Sequence, residues 1–572
     1  MSEDPDRKVE KVDSNSNDSD NFAVQMLPGP EPTEEELRTL HKVGDRLPIA
    51  TWLVALVELC ERFTYYGLSG PFQNYMQIPR HGANQVGGLG LGQSSATALS
   101  YFFQFWCYVT PIPGAIVSDL WWGKYKTIFV SAIIYVIGNL ILFVTSLPVS
   151  LDHGKAGMGG LVTAMVVIGL GAGGIKSNVS PMIAEQYTIT KPYVKTKKNG
   201  TRVIVDPNIT IQTVFMIFYM CINFGSLSNI ATTELEYNVD FWAAYLLPFC
   251  FFFVGILALI VGKNFYIKKP PMGSVIPDAF KICWIAIRNK FDLEAAKPTV
   301  RRERGQQEPM WSDLFVDEVR RALIGCKVFV IYPIFWLDYG QMLNNFVSQA
   351  GQMNTHGLPN DIMQSVNSIA IVVFIPVVNK LVYPFLRKIG LPMRPVTRIF
   401  VGFMCSALGM AYAAIVQHLI YSTGPCYKLV LSDECSAGAV PNDIHVAIQT
   451  PAYVFTSFAE IFASITGLEY AYTKAPANMK SFIMSLFLVT NAFGSALGIA
   501  LSPVAVNPKL QWMYVGLCGA TVIAGVLFFL VFRHLNEREE ELNVIDAEYT
   551  AELNANLKHQ NQEKKKDEET HV

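Results

Sequence analysis

The sequence predicts an all-α membrane protein with twelve transmembrane helices in two six-helix halves, and three observations predict it. Hydrophobic residues make up 51% of the 572-residue chain, with a mean hydropathy of +0.28. Charged residues make up 16%, against about 25% in a soluble domain, which excludes a soluble enzyme. Apolar runs of the roughly 20 residues that a bilayer core requires recur twelve times, six on each side of one long polar stretch. The formal charge of -2 supplies no basic field, so nucleic acid is excluded as a partner.

Residues 1–46 begin MSEDPDRKVEKVDSNSNDSD, without the apolar core of a secretory signal, and are expected to form a disordered cytosolic tail. The N-terminal half, 47–262, holds runs near 49–75, 94–118, 127–147, 160–185, 211–232 and 240–262. In the polar linker, 263–325, PDAFKICWIAIRNKF and WSDLFVDEVRRALI have the periodicity of amphipathic helices lying against a membrane face. The C-terminal half, 326–533, holds runs near 326–346, 363–386, 398–420, 443–468, 481–503 and 512–533. Residues 534–572 are charged and read as a solvated cytosolic tail. Two such halves joined by a linker resemble the major facilitator fold, in which the substrate site lies between the halves near the midplane.

With both termini cytosolic, the short inner loops carry Lys124, Lys126, Lys191, Lys195, Lys197, Lys198, Arg202, Arg387, Lys388, Arg394, Arg398, Lys474 and Lys480. The outer loops carry Arg80, Lys155, Lys428 and Lys509. Thirteen against four sets the sidedness by the positive-inside rule. Cys60, Cys107, Cys221, Cys250, Cys326, Cys405 and Cys518 fall in or beside apolar stretches and read as small core residues. Cys426 and Cys435 share a polar outer loop, where oxidising conditions permit a disulfide; the sequence leaves their pairing open. The sequons at Asn178, Asn199 and Asn208 fall in a membrane helix or an inner loop, so no N-glycan is expected. Neither a CxxC pair nor a Cys/His cluster occurs, and no metal or other cofactor is expected.

The first run, VELCERFTYYGLSG, is the most informative. Glu58, Glu61, Arg62, Tyr65 and Tyr66 stand at i, i+3, i+4, i+7 and i+8 and so share one helix face. Each charge at bilayer depth costs about 2.5 to 3.5 kcal/mol. Three on one stripe must therefore face a cavity and neutralise one another, either as a structural ion pair between helices or as carboxylates that titrate. Lys176, in GLGAGGIKSNVSP, stands alone in an apolar run and needs an anionic partner, protein or ligand. Glu460, in VFTSFAEIFASITGLEYAYTKAP, is a carboxylate deep in a second-half helix with no base in its own turn. Asn223 and Asn367 both donate and accept, which suits a peptide amide as well as it suits glue between helices. Trp336, Tyr339, Tyr453 and Phe487 are candidates for apolar side-chain pockets.

Glu58 to Gly67 matches ExxERFxYYG without departure, GAIVSDLWWGKYKTI carries Asp119, Gly123 and Lys124 in the carrier signature between helices 2 and 3, and FYMCINFGSL forms a fifth-helix signature. On these motifs the chain resembles the proton-dependent oligopeptide transporter family over nearly all twelve helices. FWLDYGQMLNNFVSQAGQM looks most like the fungal di- and tripeptide carriers. The resemblance implies a plasma-membrane symporter of di- and tripeptides with protons, acting as a monomer in the lipid bilayer, and not an enzyme. It implies a substrate site of Arg62, Tyr66, Tyr108, Lys176, Asn223, Asn367 and Glu460, and proton coupling through Glu58, Glu61 and Arg62. Within it, Arg62 and Lys176 receive the peptide carboxylate and Glu460 the amino group.

Three positions depart from the family. Tyr101 stands where animal relatives carry a histidine, Asp338 is displaced from the usual acidic position of helix 7, and Ser177 replaces a proline common among relatives. A nitrate or other small-anion carrier and a transporter-like nutrient receptor are the alternatives. Glu460 argues against the first, because an anion brings no ammonium group to a buried carboxylate.

Overall fold

A computed structural model describes residues 29–537, apart from 82–86, 153–154, 190, 198–199, 272, 308, 391–392, 433 and 474–479. The chain divides into two compact units. One joins the described part of Met1–Pro48 to Tyr187–Phe215, and the other comprises Ile49–Gln186 and Met216–Val572.

The smaller unit is a three-stranded sheet. Strand Arg202–Val205 pairs in parallel with Lys42–Val43 and antiparallel with Tyr193–Thr196. Its β-branched residues Val203, Ile204 and Val205 are all buried, as the pleated surface favours. Asp45 accepts hydrogen bonds from the Tyr193 hydroxyl at 2.8 Å and from Lys195 Nζ at 3.2 Å. The expected disorder of 1–46 therefore does not extend to 29–46. Thr33 and Glu36 form a reciprocal capping box on the helix Glu34–Thr39, and the chain then adds a strand to a distant hairpin. Local composition cannot reveal a partner that lies far along the chain. The remainder of that tail, residues 1–28, lies outside the described residues, as does the C-terminal tail beyond 537.

Among the described residues, nine helices are long and apolar enough to cross a membrane, and they coincide with nine of the twelve expected runs. The other three runs are helical as well: Ile49–Ser69, Gly92–Val109 continued by Pro111–Val117, and Thr450–Ala459 continued by Glu460–Ile465 and Thr466–Thr473. Each falls short for a physical reason. The first carries Glu58, Glu61 and Arg62. The second, GQSSATALSYFFQFWCYV, is long enough but carries Gln93, Gln104 and several Ser and Thr residues that lower its apolarity. The third carries Glu460 and Glu469 among Ser and Thr residues, and a π-helical turn begins at Glu460.

Small residues set the closest approaches, as they do where lipid removes the hydrophobic drive between helices. A Cβ on Gly171 would lie 2.6 Å from the Tyr135 backbone nitrogen, so Lys155–Glu185 packs directly on Lys124–Thr145. Gly123 of the carrier signature turns the chain at φ +71°, and Gly273 donates its N–H to the Asp119 carbonyl at 3.1 Å, tying this loop to the start of the linker.

The linker helices are Val275–Arg288, capped by Ser274, and Asp313–Cys326, capped by Ser312. Their buried faces, including Ile276, Ala279, Ile282, Val316 and Val319, turn inward. Ala279, Ile282, Val316 and Val319 join one core with Phe329, Tyr332, Phe482 and Phe487. Burying a valine or isoleucine from water is worth about 1.5 to 3 kcal/mol, which holds the linker on the C-terminal half. Cys426 and Cys435 form a disulfide. Of the other seven cysteines in or beside apolar stretches, Cys60 and Cys107 are buried, while Cys250 is exposed on its helix. Asn178 is buried and donates to the Gly174 carbonyl at 2.9 Å. Asn199 lies outside the described residues.

Candidate functional site

The helix Ile49–Ser69 places its charges as the spacing predicts. Glu58, Glu61 and Arg62 are 4%, 0% and 6% exposed. Arg62 Nε hydrogen-bonds Glu61 Oε2 and lies 3.3 Å from Glu58 Oε1. The guanidinium also sits over the Tyr65 ring, 5.2 Å from its centroid. Gly225 of the fifth-helix signature makes room for this triad: a Cβ there would lie 2.6 Å from Arg62 Cβ and 2.8 Å from the Phe63 nitrogen. That glycine is a site residue whose role the sequence leaves unassigned.

Lys176 lies on Lys155–Glu185, half-buried, with Nζ 3.7 Å from the centroid of the Tyr108 ring. Among the described residues no carboxylate comes within ion-pair distance of it, although Arg62, Glu61 and Glu58 are all within electrostatic reach.

Between the halves is a cavity lined by Tyr65, Tyr66, Ser69, Gln104, Tyr108, Ile222, Asn223, Ser226, Asn229, Tyr339, Met342, Leu343, Gln364, Ser365, Asn367, Ser368, Ile371 and Glu460. It gathers five of the expected substrate residues: Tyr66, Tyr108, Asn223, Asn367 and Glu460. Arg62 and Lys176 do not line it. Each sits one layer back, against a lining aromatic ring, Tyr65 for the arginine and Tyr108 for the lysine. Glu58 and Glu61 lie in the same second layer through Arg62.

Glu460 owes its position to the π-helical turn Glu460–Ile465, a local widening that often marks functional sites. Asn367 Nδ2 donates to Glu460 Oε2 at 3.2 Å, Asn367 Oδ1 accepts from Ser457 at 2.7 Å, and the Tyr339 hydroxyl is within hydrogen-bonding reach of the carboxylate. Asn223, which lines the cavity, donates to its own helix, to the Tyr219 carbonyl at 2.9 Å.

Of the four aromatic candidates only Tyr339 reaches the cavity. Trp336 donates to Thr490 at 3.0 Å, while Tyr453 and Phe487 are buried inside the C-terminal half. Asp338 also turns away. It accepts from Ser406 at 2.9 Å and from Thr521 at 2.6 Å within that half. Tyr101 is a strut between the halves, donating to the Leu337 carbonyl at 2.8 Å and accepting from Gln341 at 2.7 Å. Sequence reasoning missed Gln104, Asn229, Gln364 and Ser365, which carry no charge and so leave no anomaly in an apolar run.

At the end of the halves away from the linker, buried amides knit the two together. Asn74 and Asn360 exchange hydrogen bonds of 2.8 and 3.0 Å. Gln73 donates to Ser348 at 3.0 Å, and Gln93 and Thr97 reach Asn345 at 3.0 and 3.1 Å. The cavity is closed on that side.

A family model described as the POT family matches residues 125–516. The chain is 56% identical to Peptide transporter PTR_C of Candidozyma auris, over 97% of this chain and 98% of that protein. It is 53% identical to Peptide transporter PTR2 of Saccharomyces cerevisiae, over 93% and 88%. Among solved structures, the POT family transporter PepTSo superposes with a TM-score of 0.67 at 22% identity, covering 86% of this chain and 99% of that one. A POT family transporter in complex with a thioalcohol-conjugated peptide superposes with a TM-score of 0.61 at 20% identity, over 85% and 98%.

Proposed function

The chain belongs to the POT family, and from that membership we propose that it imports di- and tripeptides across the plasma membrane by proton symport, with both termini cytosolic. The observation that carries the reading is the charge asymmetry across the cavity. One wall holds Arg62 and Lys176 behind tyrosines, and the other holds Glu460 at the surface. A short peptide is a zwitterion with one anionic and one cationic end, so it complements both walls at once and draws the halves together. The amide of Asn367, the carbonyl of Asn223 and the lining hydroxyls suit the peptide bond that all such substrates share. Peptide transport is also the activity named for the fungal relatives. A small anion would leave Glu460 unmatched.

Coupling follows from the triad. With the cavity empty, Arg62 pairs with Glu58 and Glu61 and favours their ionised forms. An arriving peptide carboxylate competes for the guanidinium. The carboxylates then lose their counter-ion away from water, and a proton from outside replaces it. The neutralised carrier reorients, and release of peptide inside returns Arg62 to its carboxylates and expels the proton. Uptake of a labelled dipeptide into cells lacking other peptide carriers tests the reading. Accumulation above the external concentration that collapses with a protonophore is expected; simple equilibration, insensitive to the gradient, would refute it.

A further inference from the structure

A second cavity, within the larger unit, lies where three of the candidate membrane spans end. Its walls are the first turn of Lys124–Thr145, the last turn of Lys155–Glu185 and residues 267–269, just beyond the end of Phe241–Val261. A Cβ on Gly123 would lie 3.4 Å from the Lys269 carbonyl oxygen, so the loop before the first of these helices touches the start of the linker. Trp122 and Ile267 line the cavity and are exposed, as are the nearby Trp121 and Phe265. Exposed tryptophan at the end of a span sits at the boundary between lipid and water.

Four lysines converge here, Lys124, Lys126, Lys268 and Lys269, with Glu185 as the carboxylate of the lining. Glu185 accepts a hydrogen bond from Lys124 and lies 3.8 Å from Lys269 Nζ. Asp119 adds a second negative charge within electrostatic reach of Lys124. Lys126 and Lys268 meet aromatic rings instead. Lys126 Nζ is 5.6 Å from the centroid of the Trp122 ring, and Lys268 Nζ is 4.7 Å from that of Tyr125. Among the described residues no carboxylate comes within ion-pair distance of either. A ring face positions an ammonium group without neutralising it. Four lysines against two carboxylates leave two positive charges over, on the two lysines that the rings hold.

We propose that this cavity binds the headgroup of a membrane phospholipid that ends in a phosphomonoester. Such a group carries about -1.5 to -2 charge at neutral pH, which matches the charge left over, whereas a zwitterionic headgroup does not. Lys126 and Lys268 are its donors, and the exposed apolar side chains at the span ends face the acyl chains. Basic pockets among membrane helices take anionic headgroups by this chemistry. The membrane, rather than solution, supplies the ligand because the cavity opens where the spans meet water.

The probe is short-chain phosphatidic acid, compared with phosphatidylserine and phosphatidylcholine. Each is titrated into purified full-length protein in detergent, and the bound lipid is counted by native mass spectrometry. Phosphatidic acid should bind at least about tenfold more tightly than phosphatidylcholine, since each lysine at a membrane surface is worth roughly fivefold in affinity. Lys126→Gln combined with Lys268→Gln should weaken phosphatidic acid by about tenfold or more on the same scale, and leave phosphatidylcholine unchanged. Both lysines are exposed; if the pair nonetheless fails to fold, Lys126→Gln alone carries the comparison. Lys281→Gln with Lys290→Gln, exposed lysines of the linker outside the cavity, removes the same charge and should change neither. Soluble glycerol phosphate, which has the phosphomonoester but no acyl chains, should not displace the lipid at concentrations where phosphatidic acid binds. Equal affinities for the three lipids would overturn the proposal, as would an equal loss in the control pair or displacement by glycerol phosphate as potent as by the lipid. The readout uses neither peptide nor gradient, so its outcome is independent of the transport reading.

Discussion

The two walls of the cavity handle buried charge in opposite ways. On the N-terminal side Arg62 is already matched, by Glu61 through a hydrogen bond and by Glu58 at 3.3 Å, and the group is covered by Tyr65. On the C-terminal side Glu460 faces the cavity with neutral donors, Asn367 at 3.2 Å and the Tyr339 hydroxyl. A matched triad can exchange one anion for another and keep its cation paired throughout. A carboxylate held by neutral donors gains most from an arriving cation, because a charge-assisted hydrogen bond is about twice as strong as a neutral one. On the proposed mechanism one wall would switch partners and the other would hold.

The comparison breaks first at Glu61. Glu61→Gln should abolish gradient-driven accumulation of dipeptide in proteoliposomes while peptide-for-peptide exchange stays measurable. Accumulation that survives would move the coupling proton elsewhere. Next comes the glycine that admits the triad. Gly225→Ala forces a methyl group to 2.6 Å from Arg62 Cβ and should cost about 1 to 3 kcal/mol by overpacking, read as a lower melting temperature of the purified protein together with slower uptake. Gly516→Ala, where a Cβ would meet nothing within 4 Å, is the control and should change neither.

Asp338 sharpens the contrast. It is buried by Ser406 and Thr521 rather than set on the cavity wall, so Asp338→Asn should shift stability by about 1 kcal/mol or less and leave gradient-driven accumulation intact. A loss of coupling there would show that charge off the cavity takes part. The smallest effect lies in the smaller unit. Burial works against the Asp45 carboxylate, but hydrogen bonds from the Arg46 backbone and Tyr193, with Lys195 beside it, outweigh burial and hold its pKa below the ordinary 3.8. Its contribution to the small sheet is then present above that value and lost as pH falls through the lower, folded one. Protection of the amides over 193–205, corrected for the intrinsic exchange rate, should fall in that acid window, and Asp45→Asn should remove the change.

The sequence made the fold legible because the bilayer imposes length and apolarity run by run, and the residues that break those rules announced the site. Glu58, Glu61, Arg62, Lys176 and Glu460 are costly where they stand, and the structure groups all five in or just behind the cavity. What stayed hidden needed distance rather than composition. Arg62 and Lys176 lie behind tyrosines, a layer that periodicity cannot resolve. Asp338 shares a helix with the lining residue Tyr339 yet points into its own half. The strand Lys42–Val43 has its partner in Arg202–Val205, far along the chain. Neutral lining residues such as Gln104 and Gln364 cost little in a helix that faces protein, so nothing in their own runs marks them.

The division of labour between the walls is tested most directly by binding affinities across a two-by-two set of ligands and variants. Purified Lys176→Ala and Glu460→Gln would each be titrated with a C-terminally amidated and an N-acetylated dipeptide, with the free dipeptide and the unaltered protein as references. Losing one charge-assisted contact of about 1.5 to 3 kcal/mol should weaken the free dipeptide roughly tenfold to a hundredfold in both variants. The amidated ligand should be insensitive to Lys176→Ala but penalised by Glu460→Gln, and the acetylated ligand should show the reverse. Equal losses for both blocked ligands in both variants would contradict the assignment of the peptide's two ends to the two halves.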